Sequence, residues 1–153
     1  MNSTEELKVT RSEKGRKARK KGVSFELETR KDLMAKGWVV TKFDNDVING
    51  ELKQAKKSFN PFTKRIGVGN GFPDFLAMRV MKDDGVINYR VYGVESKKAK
   101  YLDSEEKEKV RWLLKNNIFE KILVAYPVIV DGKKTVLYKS ALTNEPVLMH
   151  GWY

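Results

Sequence analysis

The chain has 153 residues, a length that suits one domain with a hydrophobic core of its own. Its 31 Lys and Arg outnumber 20 Asp and Glu, giving a formal charge of +11, an excess that favours a polyanionic partner such as nucleic acid. The absence of Cys and a single His, His150, exclude disulfide scaffolds, thiolate zinc sites, thiol catalysis and His-rich metal sites. No apolar run approaches the ~18 residues of a membrane span and the N-terminus is polar, so the expectation is a cytoplasmic protein without a membrane partner.

Residues 1–21 read as a basic arm, with Arg16, Arg19, Lys20 and Lys21 at its end and too few apolar residues to define a buried face. The arm is expected to be flexible when free and to track phosphates. Residues 22–153 read as a single domain. Ser24 can cap a helix running to about Lys36, with Val23, Leu27 and Met34 at helical spacing, Arg30 interrupting that stripe and Gly37 ending it. The β-branched and aromatic run Trp38–Phe43 predicts a strand, with Lys42 near its end.

Residues 44–72 are rich in Gly and Asn and read as a long irregular segment, with a short helix near 51–58. Lys56, Lys57, Lys64 and Arg65 make it basic, which suits contact with a phosphate backbone. Its Gly67–Gly71 stretch lacks the Gly-Lys-Ser/Thr ending of a phosphate-cradling loop, so no nucleotide cofactor is expected. Two apolar strands follow, 73–81 and 86–97, joined through Asp84-Gly85, a strong signal for a tight hairpin. Asp103 or Ser104 then caps a second helix that ends at Asn116-Asn117. Residues 122–126 read as a buried strand and 135–138 as a last one. The order is α-β-β-β-α-β plus a C-terminal β element, an α/β layer fold with a sheet flanked by helices. Lys98 and Lys100 are further candidates for phosphate contact, Trp112 for the core, Trp152 for a dimer contact and His150 for a structural role.

The hairpin carries the chemistry. With Asp84-Gly85 as a two-residue loop, Asp83 pairs with Val86, and equal steps along the two strands bring Asp74 opposite Glu95. Both acids then share a face with Leu76, Met78 and Val80 on one strand and Tyr89, Val91 and Gly93 on the other, a surface that reads as core-facing. Two acids at the end of an apolar face repel each other and lose hydration. A divalent cation relieves both costs, and hard carboxylate oxygens suit Mg²⁺, with Mn²⁺ as substitute. Lys97 falls on the same face by strand periodicity, where an ammonium can position or help deprotonate an attacking water. Gly93 is expected to leave space beside the acids.

These residues carry a resemblance. Lys21-Gly22-Val23-Ser24-Phe25-Glu26, Gly37-Trp38-Val39-Val40, Pro73-Asp74 and Glu95-Ser96-Lys97 together resemble the PD-(D/E)xK nuclease superfamily. Within it the chain is similar to archaeal Holliday-junction resolvases, over roughly residues 20–126. The resemblance implies the restriction-endonuclease-like α-β-β-β-α-β core and a metal-dependent DNA endonuclease acting on branched DNA in recombination or repair. It implies Asp74 and Glu95 as metal ligands, the Ser96 carbonyl as a third, and Glu26 completing the acidic cluster, with Glu28 as the fallback. It implies Lys97 acting on the attacking water and a homodimer making paired cuts. The segment 44–72 is longer than the resolvase pattern, and Glu106-Lys107 stands where related nucleases often carry a Gln. Two alternatives stay open: another nuclease of the superfamily, cutting flaps, single strands or duplexes and of viral or mobile-element origin, and a non-catalytic DNA-binding module.

Overall fold

The computed structural model describes residues 11–67 and 71–149. Residues 1–10, most of the glycine-rich stretch (68–70), His150 and Trp152 lie outside the described residues. The elements are α1 (Arg11–Ala35), β1 (Val39–Lys42), β2 (Asn45–Ile48), β3 (Glu51–Gln54), β4 (Ser58–Asn60), β5 (Arg65–Gly67), β6 (Phe75–Asp83), β7 (Val86–Ser96), α2 (Ser104–Lys115), β8 (Lys121–Val130) and β9 (Lys133–Ser140). β1, β6, β7, β8 and β9 lie side by side in that order in one five-stranded sheet. Only β7 and β8 are parallel, with α2 as their crossover, so the fold is mixed α/β.

Each helix covers one face. Phe25 and Leu33 of α1 pack on Val40, Phe75, Ala77, Val94, Leu123 and Ala125. Val110 and Leu113 of α2 pack with Ile122 and Val124 on the opposite face, and Leu76 and Val91 join that cluster from β6 and β7. The central strands therefore bury residues of both parities, as strands covered on both sides do. Asp103 caps α2: its side chain accepts from the Glu106 backbone N–H while the Glu106 carboxylate accepts from the Asp103 N–H, a complete capping box.

Four expectations are corrected. First, α1 begins at Arg11 rather than Ser24, so the basic stretch 11–21 continues the same helix. Second, the buried stripe of α1 is Phe25, Thr29 and Leu33, whereas Val23, Leu27 and Met34 are 66%, 51% and 55% exposed. Fully buried Thr29 breaks the apolar pattern, and the more apolar-looking stripe faces outward. Third, the described residues of 44–72 are not irregular and hold no helix near 51–58. They form two small hairpins, β2–β3 and β4–β5, whose residues are too polar to show strand alternation. Fourth, Val80 and Tyr89 are exposed. The 11 residues of β7 span about 36 Å while the 12 of α2 span about 18 Å, so the helix cannot cover the distal half of the hairpin. Trp112 packs partly buried against the α2 core, and no helix among the described residues is long and apolar enough to cross a membrane.

The exchanged stripe on α1 has a measurable consequence. Leu33→Ala removes a fully buried side chain and is expected to cost ~2–5 kcal/mol, lowering the melting temperature clearly. Leu27→Ala, at a half-exposed position, is expected to cost well under half of that in the same denaturation series.

Candidate metal and phosphate site

The hairpin adopts the expected register. Asp84 and Gly85 both have positive φ, 46° and 80°, the two-residue turn in which Gly is favoured because it has no Cβ. Asp83 pairs with Val86, and the ladder runs back without a bulge to Phe75 opposite Val94. The next step outward brings Asp74 and Glu95 together at the open end of β6 and β7.

Crossed hydrogen bonds hold the two acids. The Asp74 backbone N–H donates to Glu95 Oε2 at 3.0 Å, and the Ser96 N–H donates to Asp74 Oδ2 at 2.8 Å. Each carboxylate is thus fixed by the other's strand through one oxygen. Glu95 Oε1 lies 3.4 Å from Lys97 Nζ, and Lys97 also forms an ion pair with Glu106 of α2. Asp74, Glu95, Ser96 and Lys97 line a cleft of about 330 Å³ together with Glu26 from α1 and Asp46 from β2. Lys109 of α2 closes one side, paired with Asp46 at 3.0 Å and Glu105 at 3.1 Å.

Glu95 is only 7% exposed. Burial, and next the Asp74 charge, push its carboxyl up to about 8. Asp74 is pushed up to about 6, chiefly by burial, with the Ser96 N–H pulling against it and Glu26 adding to the rise. Burial pulls Lys97 down, but the hydrogen bond to Glu106 and the charges of Glu95 and Glu106 outweigh it and hold its pKa above the ordinary lysine value. Lys97 therefore keeps its proton beside these acids, which suits it to neutralise and orient rather than to abstract a proton.

The donor set fits a hard divalent cation. Two adjacent, largely desolvated carboxylates lack full compensation, which is the condition a bound cation relieves. Among the described residues, no group of three His, Cys, Asp or Glu side chains could enclose a metal ion by itself. Mg²⁺ commonly binds through one or two carboxylates and completes its shell with water and substrate phosphate. Glu26 lines the cleft but is paired with Lys42 at 3.2 Å. Glu28, the fallback, is paired instead with Lys134 of β9 at 2.9 Å.

Lys42 stands at the cleft's edge through Glu26. Arg16, Arg19, Lys20 and Lys21 lie exposed on the first turns of α1, and Lys56, Lys57, Lys64 and Arg65 lie exposed on the β3–β5 segment, outside the lining of this cleft. Two residues were not anticipated. Asp46 and Lys109 frame the cleft, the first from a segment read as irregular and the second from α2. Glu106 was visible as a departure from the resolvase pattern, but its contact with Lys97 was not. The space expected beside Gly93 is filled: a Cβ there would lie 2.7 Å from the Pro73 ring and 3.3 Å from Ile122.

Comparison with protein-family models, with curated proteins and with solved structures gives no match.

Two outcomes follow from this geometry. With a chelator present, the folded chain holds protons on Glu95 and Asp74 that the unfolded chain releases near pH 4, so stability falls as pH rises from about 4 to 8. Lys97 and Lys42 temper the fall, and Glu26 and Glu106 steepen it. Glu95→Gln should flatten this slope in melting temperature against pH; an equally steep slope would show that the acids are not held as described. Gly93→Ala pushes the Pro73 ring, which directly precedes Asp74, and is expected to cost about 1–3 kcal/mol by denaturant unfolding.

Proposed function

We propose that this chain is a Mg²⁺-dependent DNA endonuclease with a PD-(D/E)xK core, acting on branched DNA as Holliday-junction resolvases do. The observation that carries the reading is the pair Asp74 and Glu95, fixed across the hairpin end with Lys97 beside them. Asp74 and Glu95 would hold the cation, with the Ser96 carbonyl and Glu26 as further ligands. Glu26 joins only if it gives up Lys42. When bound there, Mg²⁺ supplies Lewis-acid stabilisation of the charge that builds on a phosphodiester during hydrolysis. Lys97, held protonated, orients the attacking water and offsets charge at the phosphate. Glu106 acts through Lys97 as a positioning residue.

The charge of +11 supports a DNA substrate. Arg16, Arg19, Lys20, Lys21, Lys42, Lys56, Lys57, Lys64 and Arg65 are assigned to backbone contact, which follows DNA shape more than sequence. Paired cuts in a four-way junction need two related centres, hence a homodimer.

The test is incubation of the purified chain with a labelled four-way junction, a flap, a single strand and a plain duplex in Mg²⁺. Preferential cutting of the junction is expected. Asp74→Asn and Glu95→Ala should each lower cleavage by at least about 100-fold while keeping DNA binding. Cutting of flaps, single strands or duplexes alone points to another nuclease of the same class. Tight, salt-sensitive binding without scission in Mg²⁺ or Mn²⁺ leaves a DNA-binding module.

A further inference from the structure

The first turns of α1 bury no side chain: from Ser12 to Lys21 every position is exposed. Beside them lies a second cleft, of about 570 Å³, lined by Lys17, Lys20, Lys21 and Ser24 of α1, Lys98 after β7 and Lys134 of β9. Three separate segments thus bring five lysines to one hollow, and among the described residues no Asp or Glu lines it. Glu28 pairs with Lys134 at its edge.

Lining residues of the two clefts are near neighbours in the chain at two places. Ser24 lines the basic cleft and Glu26 the acidic cleft, two positions apart on α1. Lys98 lines the first and Lys97 the second, as consecutive residues. From Lys17 to Ser24 the helix rises about 10 Å, close to the axial rise of three nucleotides of a duplex strand.

We propose that this second cleft, walled by α1, Lys98 and Lys134, holds the phosphodiester backbone of a DNA strand on one side of the Asp74–Glu95 centre. The inference takes its substrate class from the reading above but does not require cleavage. Charge complementarity selects a polyanion, and the DNA substrate of the reading above selects a nucleic-acid strand over an anionic lipid surface.

The experiment measures binding of the full chain to a short fluorescent DNA duplex in EDTA, across a salt series. The double variant Lys98→Ala/Lys134→Ala should weaken binding about tenfold and reduce the slope of log K against log salt by about 1–2, at ~0.9 for each phosphate no longer neutralised. The control Lys82→Ala/Lys133→Ala, at the tips of the two long hairpins, should change neither. Circular dichroism verifies that both variants fold. The inference is overturned if the two double variants behave alike, or if phosphatidylserine vesicles bind more tightly than DNA and are the ligand that Lys98→Ala/Lys134→Ala releases. A wild-type chain that cuts nothing in Mg²⁺, while the double variant shows the expected drop in slope, removes the enzyme and supports the cleft.

Discussion

Two carboxylates brought face to face at the open end of an antiparallel hairpin set the terms for everything around them. Left to repulsion they would swing apart, but each yields one oxygen to an N–H at the end of the opposite strand. The other oxygens remain for the cleft. Because the anchors are main-chain groups, the arrangement depends on strand register and not on the choice of neighbouring side chains. A one-residue slip of β7 against β6 would carry Glu95 to the α1 face and leave Asp74 alone.

The layers convert that constraint into a site. α2 lies on the face that carries the acids, and its N-terminal capping box sets Glu106 where it meets Lys97. The same carboxylate thus caps a helix and anchors an ammonium, which ties the start of α2 to the end of β7. The β2–β3 hairpin brings Asp46 to Lys109 and so walls the cleft from outside the main sheet. α1, on the other face, reaches the cleft only through Glu26. Burial by these elements raises the cost of ionising both acids, and Lys97 offsets only part of it.

Charge is divided rather than mixed. Lys97 lines the acidic cleft and the next residue, Lys98, lines the lysine-rich one. The overall excess of +11 therefore has a local form, with five lysines gathered in one hollow.

The sequence by itself determined what local chemistry decides. Asp84-Gly85 dictated a two-residue turn, and the turn dictated that Asp74 stands opposite Glu95, because antiparallel pairing leaves no freedom once the loop length is set. Asp103 or Ser104 likewise announced the start of α2. Tertiary structure alone decided which stripe of α1 is buried, since Thr29 is polar by composition and core only by position. It decided that the described residues of 44–72 form hairpins, because short strands with no one-sided burial carry no alternation to read. It also decided that Asp46, Glu106 and Lys109 frame the cleft and that Pro73 fills the space beside Gly93. Contacts between residues far apart in the chain depend on how layers stack, and no periodicity or turn signal encodes that distance.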